Sequence, residues 1–447
     1  MDRGAMDSMS FALQNTRIGF HYYPDTLHYR DADLAFWLPE LKALAASWLT
    51  LQAPLARAIP EYFIQGLLQQ QIQPILQFPF SPASPPILDE FNLLCRSYSR
   101  WGVKYIVLFD RPNMRCNWPA ADWARNNLVE RFLDVFQPLA LTAAQAGLVP
   151  IFPPLEPGGD YWDTAFLRAS LEGLLRRNQT LLLDQIALSC YAWSNGHPLN
   201  WGSGGPERWP AARPYDTPTG TEDQRGFRIF DWYLALSEVV FGERRPILAL
   251  AAGALPDEKA YDVPSPESPH TTQNLLISRL LMGEKLALDP IPAELLACNF
   301  WLLAADNSYP AAAAAWYQPD GSTLPVVSTI QQWAADHQWT TAPITHPVNP
   351  QASKTTKGRP IAHYLLLASP DWCNSSWQMD MVRQLSLKFH PTIGFSPAEA
   401  VHASRVTVLG IPNAIPDSIL DGLIAAGCQV DDLRGDGTTV ATKVMGY

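Results

Sequence analysis

The chain has 447 residues, of which 32 are Lys or Arg and 43 are Asp or Glu, so its formal net charge is −11. It contains no run or stripe of Lys and Arg, which excludes nucleic acid as an expected partner, because binding to phosphates needs clustered cations. It also has no apolar stretch long enough to predict insertion into a membrane.

Short apolar runs alternate with amphipathic segments along most of the chain. The predicted strands are Arg17–Tyr23, Trp48–Pro54, Gln73–Phe80, Lys104–Asp110, Leu148–Leu155, Gln185–Trp193, Arg245–Gly253 and Glu294–Leu303. The predicted helices are Asp31–Ala46, Pro60–Gln71, Pro86–Trp101, Asp122–Gly147 (one long helix or two shorter ones), Tyr161–Asn178, Gly226–Phe241, Thr271–Met282 and Val326–Asp336. Eight β-then-α units with apolar strands predict a closed (β/α)8 TIM barrel, because parallel strands are buried on both faces.

A doubly wound open sheet is the main alternative to a barrel. Such a sheet normally carries a Gly-rich, phosphate-binding turn after its first strand. Here the first strand ends in His21-Tyr22-Tyr23-Pro24, and no GxGxxG motif occurs in the chain. The spacing of Cys and His residues does not predict a metal site either. We therefore expect neither a cofactor nor a metal.

The two ends of the chain differ in composition from the barrel segment. Residues 1–15 are predicted to be disordered or derived from a tag, residues 16–340 to form the barrel, and residues 341–358 to be a linker. Residues 359–447 are predicted to form a small α/β domain that could bind a protein partner. No signal peptide is recognisable, so the compartment stays open, including a location outside the cytoplasm if a leader was removed.

The predicted C-terminal domain has strands and helices in alternation. Its predicted strands are Pro360–Ser369, Arg405–Gly410 and Thr438–Val444, and its predicted helices are Trp377–His390, Ser396–Ala403 and Pro416–Ala426.

Polar and aromatic residues concentrate where the predicted barrel strands end. Active sites of such barrels lie at the carboxyl ends of the strands. The candidate substrate-binding residues there are His21, Tyr22, Gln52, Gln77, Asp110, Arg111, Asn113, Tyr191, Trp193, Asn195, Trp201 and Trp301. Rings that can stack on sugars, together with amides and carboxylates that can bind hydroxyls, favour carbohydrate as the ligand.

Three segments carry a family resemblance. KYIVLFDRPNMRCNW (104–118), PLEPGGDYWDTAFL (154–167) and SCYAWSNGHPLNWGSGGPERWP (189–210) resemble the clan A retaining glycoside hydrolases, and more narrowly bacterial cellulase-like or xylosidase-like barrels. The resemblance covers about residues 17–340 and implies a TIM barrel with a sugar cleft. It also implies a general acid/base Glu after strand four and a nucleophilic Glu after strand seven.

This sequence departs from that pattern at both catalytic positions. Arg111 stands at the position of the acid/base, and Ala251 or Ala252 at that of the nucleophile. Asp110 is expected to point away from the cleft, because successive strand residues alternate between faces. Glycoside hydrolysis needs two carboxyl groups, roughly 5 Å apart in retaining enzymes and roughly 6.5–9.5 Å apart in inverting ones.

Three hypotheses follow. The chain is a carbohydrate-binding barrel that has lost hydrolysis, or an active glycosidase with relocated acids, or a non-catalytic structural or assembly protein. Glu156 and Glu207 are the first candidates for relocated acids, since both lie in loops that follow predicted strands. Their alternative roles are a surface carboxylate for Glu156 and an ion pair with a neighbouring Arg for Glu207.

Overall fold

A computed structural model describes residues 15–55, 57–256, 258, 268–337, 359, 361–368, 376–389, 391–410, 413–435, 439–440 and 442–443. The predicted N-terminal segment and the predicted linker lie outside these residues, apart from Asn15. The domain boundaries therefore stay predictions.

The first eight strands form one parallel sheet that curls into a barrel. They are β1 (Ile18–His21), β2 (Trp48–Gln52), β3 (Gln73–Phe78), β4 (Tyr105–Leu108), β5 (Val149–Ile151), β6 (Leu188–Trp193), β7 (Ile247–Gly253) and β8 (Leu295–Phe300). The hydrogen-bonded order is β5-β4-β3-β2-β1-β8-β7-β6. A parallel bridge between Ile151 and Ala187 joins the two ends, so the ring is nearly closed. This confirms the predicted TIM barrel.

Helices surround this barrel. They are α1 (Asp31–Ala43), α2 (Glu61–Gln69), α3 (Leu88–Arg100), α4 (Ala120–Trp123), α5 (Leu128–Gln145), α6 (Asp163–Arg177), α7 (Thr180–Gln185), α8 (Gly205–Arg208), α9 (Ile229–Phe241), α10 (Pro269–Leu281) and α11 (Pro325–Asp336). None of the described helices is long and apolar enough to cross a bilayer.

Each barrel strand buries side chains on both of its faces. One set fills the interior and comprises Trp48, Ile75, Val107, Ile151, Ala187, Leu248, Leu250 and Ala297. The opposite set, which includes Phe20, Phe78 and Phe300, packs with apolar residues of the surrounding helices. Burial on both faces explains why these strands are nearly continuous apolar runs in the sequence.

Glycine at position 19 is required by the packing of the barrel interior. Gly19 pairs with Trp48 on β2 and with Asn299 on β8. A Cβ atom at this position would collide with the Asn299 side chain and lie 2.7 Å from the Trp48 Cβ. A larger residue would therefore displace the side chains below His21.

The C-terminal unit has its own parallel sheet, in the order β10-β9-β11-β12. Its elements are β9 (Ile361–Leu367), α12 (Ser376–Phe389), β10 (Thr392–Gly394), α13 (Pro397–Ala400), β11 (Ala403–Leu409), α14 (Asp417–Ala425) and β12 (Gln429–Asp432). The predicted small α/β domain is thus confirmed, whereas its protein partner stays a prediction.

One predicted strand of this unit is wrong. The described residues within 438–444 are helical, and the fourth strand is β12 instead, which pairs with β11. The β-branched residues Thr438, Thr439 and Val440 favoured a strand by propensity alone, but the place beside β11 is taken by Gln429–Asp432. Tertiary context commonly overrides strand propensity in this way.

Candidate functional site

A chain of hydrogen bonds crosses the carboxyl ends of four strands, which we call the mouth of the barrel. His21 Nε2 lies 3.2 Å from Gln77 Oε1. The Gln77 side chain also bonds to the Tyr191 hydroxyl, and that hydroxyl donates to Asp110 Oδ1 at 2.6 Å. Burial raises the pKa of Tyr191, so its hydroxyl stays protonated and serves as the donor. These contacts bring together four of the predicted site residues.

The two ends of that chain have opposite electrostatic character. At one end, burial lowers the pKa of His21 to about 4, so the ring is neutral at neutral pH. Because Nε2 donates to Gln77, Nδ1 is the acceptor nitrogen. It is buried, and a backbone hydrogen bond with Tyr22 also acts on the ring. At the other end, Arg111 Nε donates to Asp110 Oδ2 at 3.1 Å, and Arg111 Nη1 lies 3.5 Å from Glu156 Oε2.

Asp110 points into the mouth, contrary to the expectation from strand alternation. The preceding residue, Phe109, has φ +70°, and Arg111 has φ +42°. Left-handed backbone at non-glycine residues costs on the order of 1 kcal/mol each and ends the alternation of faces. The bent strand end turns the Asp110 carboxylate toward Tyr191 and Arg111.

Aromatic rings form the wall of the mouth next to His21. The Trp301 ring lies 4.5 Å from the His21 ring and 6.1 Å from the Trp193 ring, centroid to centroid. Tyr309 lies 6.5 Å from Trp301, and the charges of Arg111 and Asp110 act on its hydroxyl. The segment after β8 therefore approaches the end of β4. The peptide bond between Trp301 and Leu302 is cis.

Three predicted site residues have structural surroundings instead. Tyr22 is fully buried among Tyr29, Trp37 and Phe63, on the helix side of β1, because it alternates with His21. Trp201 stacks on His197 at 4.1 Å and donates to Asp223, within the loop after β6.

Asn113 is also structural. It is fully buried, its amide donates to the backbone oxygens of Glu156 and Tyr161, and its Oδ1 accepts from the Glu156 backbone. This side chain ties the loop after β4 to the loop after β5, which we call the Asn113 staple.

The remaining predicted residues lie in three different surroundings. Gln52 is opposite Gln77 in the strand register, so both face the interior. Asn195 is exposed and its amide lies 3.3 Å from the Arg225 carbonyl. Ala251 is fully buried beside Tyr191 on the neighbouring strand, where an alanine brings no carboxylate.

Glu156 and Glu207 lie in different surroundings. Glu156 lies at the mouth, with its side chain 34% exposed beside Arg111. Glu207 lies on α8 and lines a groove of about 800 Å³ on the outer flank, together with residues of α9 and Pro290. A catalytic role for these two residues stays a prediction.

A further carboxylate near the end of β7 was not predicted. Glu258 Oε2 accepts hydrogen bonds from Ser194 Oγ and from the Gly196 backbone, at 3.1 Å for the latter. Ser194 directly follows Trp193, so Glu258 belongs to the rim of the mouth. A Glu five residues after a predicted strand end was the only sequence signal for it.

A cluster around His28, in the segment that follows β1, was also not predicted. His28 Nδ1 lies 2.9 Å from Asp25 Oδ1, and Nε2 lies 3.4 Å from Asp306 Oδ1. The ring stacks on Tyr23 with centroids 3.7 Å apart. The three side chains could hold a metal ion, but a metal could use only one ring nitrogen. The two ring nitrogens face two different carboxylates instead.

Comparisons with known proteins give information on the fold only. No family model and no curated protein sequence matches the chain. It is similar to a family 39 glycoside hydrolase from the gut symbiont Bacteroides cellulosilyticus WH2, with TM-score 0.47, 12% identity and coverage of 72% of this chain and 64% of that one. It is also similar to Bifidobacterium dentium β-glucuronidase, with TM-score 0.40, 10% identity and coverage of 71% and 46%.

A third similar structure is D-psicose 3-epimerase from Clostridium cellulolyticum H10, with TM-score 0.39, 10% identity and coverage of 72% and 97%. This chain thus spans less than two thirds of the first two structures. Glycoside hydrolases are among the barrels it is similar to, but at these identities the similarity extends to the fold alone.

Proposed function

We propose that the mouth of the barrel binds a carbohydrate and that the chain does not cleave it by the usual retaining mechanism. The observation that carries the proposal is the pairing of an aromatic wall with a polar chain. Trp193 and Trp301 offer apolar ring faces, and the hydrogen-bonded series from His21 to Asp110 offers groups that can bind hydroxyls. Sites for small ligands combine apolar walls with a few placed polar groups.

The absence of hydrolysis is argued from the two positions that the resemblance assigns to catalysis. Arg111 carries a guanidinium, which cannot protonate a leaving group because it keeps its protons at accessible pH. Ala251 offers no nucleophile, and it is fully buried. Neither of the two carboxyl groups that glycoside hydrolysis requires is supplied there.

One observation favours hydrolysis as a second candidate. Asp110 and Glu156 both contact the Arg111 guanidinium, so two carboxyl groups lie beside the same side chain at the mouth, and glycoside hydrolysis needs a pair of carboxyl groups. In this second candidate function, the catalytic carboxyl groups would be those of Glu156 and Asp110, in place of Glu156 and Glu207.

The test combines binding and turnover on one panel of oligosaccharides. Calorimetric titration of the wild type with gluco-, xylo- and glucosamine oligomers is expected to show binding of at least one of them without release of reducing ends. Trp301→Ala is expected to weaken that binding about 30-fold, since loss of a central aromatic contact costs about 2 kcal/mol. Phe36→Ala, an exposed aromatic on α1, is the control and should bind normally.

Two outcomes overturn the proposal. Release of reducing ends that Glu156→Gln abolishes would establish the hydrolase. A complete lack of binding across the panel, together with a stable oligomer of the chain, would favour the structural or assembly protein instead.

A further inference from the structure

A crevice of about 250 Å³ lies between the barrel and the C-terminal unit. Its barrel wall includes Arg96 and Arg100 of α3, and its other wall includes Ser386 of α12, Pro391 just before β10, and Ile393 within β10. Two parts of the chain that are far apart in sequence thus form one cavity. Its lining residues differ from those of the mouth.

The two walls of this crevice are joined by polar contacts. Arg383 Nη2 on α12 lies 3.3 Å from Asp89 Oδ2 on α3. The hydroxyl of Thr392 on β10 donates to Glu61 Oε2 at 3.1 Å. Ser386 lies one turn after Arg383, so both contacts come from the elements that line the crevice. The crevice is therefore part of the way in which the C-terminal unit docks on the barrel.

The barrel wall of the crevice carries positive charge in a protein whose net charge is −11. Arg96 and Arg100 are four residues apart on one helix, so their side chains are neighbours on the same face. Among the residues that the structure describes, the Arg96 side chain has no ion pair and no hydrogen bond. Arg96 is therefore available to a ligand.

Burial adds to this demand for an anion. Burial lowers the pKa of Arg100, and the nearby Glu61 carboxylate opposes that shift. A cation that loses part of its hydration is stabilised by negative charge close to it. An anion in the crevice would supply such charge to Arg100 and to Arg96 at once.

A hydroxyl on the opposite wall is also without a partner. Ser386 is 6% exposed, and its Oγ forms no hydrogen bond. Serine in a helix often donates to the carbonyl one turn earlier, and buried polar atoms are nearly always hydrogen-bonded. A ligand oxygen in the crevice would accept the hydrogen bond that this hydroxyl can donate. This observation is independent of the charges on the barrel wall.

We propose that the crevice binds the phosphate group of a small ligand. Arg96 and Arg100 bind phosphate oxygens from the barrel side, and the Ser386 hydroxyl donates to the same group from the C-terminal unit. A guanidinium matches a phosphate with two parallel hydrogen bonds. The site is separate from the mouth, so this inference does not rest on the proposed function.

The size of the crevice restricts the ligand. Pockets for drug-sized molecules have volumes of roughly 300–1,000 Å³, and this cavity is smaller. It suits inorganic phosphate or the phosphate of a compact ester. Because the ligand contacts both walls, its binding also strengthens the docking of the C-terminal unit on the barrel.

The experiment titrates the full chain at pH 7.5 with inorganic phosphate, with glucose 6-phosphate, and with sodium chloride of matched ionic strength. Calorimetry is expected to show saturable binding of at least one phosphate compound, with a Kd of about 1 mM or tighter. The same compound should raise the Tm, because a ligand that binds the folded state stabilises it. Sodium chloride should do neither.

Variants locate the binding. Arg96→Gln and Arg100→Gln are each expected to weaken it about 10-fold or more, because hydrogen bonds to charged groups are stronger than neutral ones. Arg96→Gln is the decisive variant, since Arg100 also faces Glu61. The control is Arg168→Gln, which removes the same charge from an exposed position on α6 and should bind normally.

The Ser386→Ala variant distinguishes a ligand contact from a structural role. It should weaken phosphate binding about 5-fold, as the loss of one ordinary hydrogen bond does. Without phosphate its Tm should equal or exceed that of the wild type, because the hydroxyl it removes is buried and has no partner.

The outcomes can be told apart. Equal binding of both phosphate compounds assigns the site to the phosphate group alone, and binding of glucose 6-phosphate only assigns it to an ester. Equal effects of sodium chloride, or no binding of either compound, overturn the proposal. Full phosphate binding by Arg96→Gln also overturns it, because the phosphate would then bind elsewhere. A lower Tm of Ser386→Ala with unchanged affinity overturns the role of Ser386.

Discussion

The two sides of the mouth are built by different physical means. On the aromatic side, Trp301 and His21 are held by packing, and the His21 ring is buried and neutral. On the charged side, Asp110, Arg111 and Glu156 are held by ion pairs and by left-handed backbone. Packing holds the rings in place without burying charge, whereas the charged side chains need ion-pair and hydrogen-bond partners to hold them. A buried titratable group belongs to each side, His21 on one and Asp163 behind the other, and burial shifts the pKa of the two groups in opposite directions.

The aromatic side is expected to lose stability in acid. The folded-state pKa of His21 is about 4, below its usual 6.5, so its contribution is fully present above pH 6.5 and is lost as the pH falls through about 4. The free energy of unfolding of the wild type minus that of His21→Asn should fall by about 3 kcal/mol from pH 7 to pH 4. Urea unfolding at both pH values measures this, and a constant difference would contradict it.

The charged side is expected to show the reverse trend. Asp163 accepts hydrogen bonds from the Gly158 backbone and from Gln224, behind the loop that carries Glu156. Burial raises its pKa from the usual 3.8 to about 6, so the stability from its bound proton is present below pH 3.8 and is lost as the pH rises through about 6.

Asp163→Asn tests that trend. The free energy of unfolding of the wild type minus that of Asp163→Asn should fall by up to about 3 kcal/mol between pH 4 and pH 6.5. The His21→Asn difference should rise over the same range, which makes each variant the control for the other. If both differences changed in the same direction, the two sides would not differ as we describe.

The smallest expected effect compares the two glutamates that the sequence paired. Glu156→Gln weakens one contact of Arg111 and should lower affinity for the preferred oligosaccharide about 3- to 10-fold, because a typical hydrogen bond contributes a net of about 1 kcal/mol. Glu207→Gln should leave affinity within error. Calorimetry on the two purified variants decides this, and equal losses would place Glu207 at the mouth after all.

The sequence predicted the barrel well and the site unevenly. Continuous apolar runs mark strands that are buried on both faces, so all eight barrel strands lie within their predicted ranges. Residues at strand ends, such as His21 and Tyr191, could be placed by alternation. Asp110 could not, because the left-handed Phe109 is invisible in a sequence pattern. Glu258 and the His28 cluster needed three-dimensional proximity between distant loops.

The same limit applies to predicted site residues whose rings have other packing partners in the structure. Tyr22 and Trp201 are aromatic residues near strand ends, and composition cannot distinguish a ring that lines a cleft from one that packs under it. Their partners, Phe63 and His197, lie on elements whose orientation is known only from the fold.

The Asn113 staple has a mechanical consequence. Its amide and carbonyl bind the backbone of the loop after β5 at three points, so Arg111 and Glu156 are carried on a single coupled body. A ligand that enters the mouth would therefore meet Arg111 and Glu156 on a rigid surface.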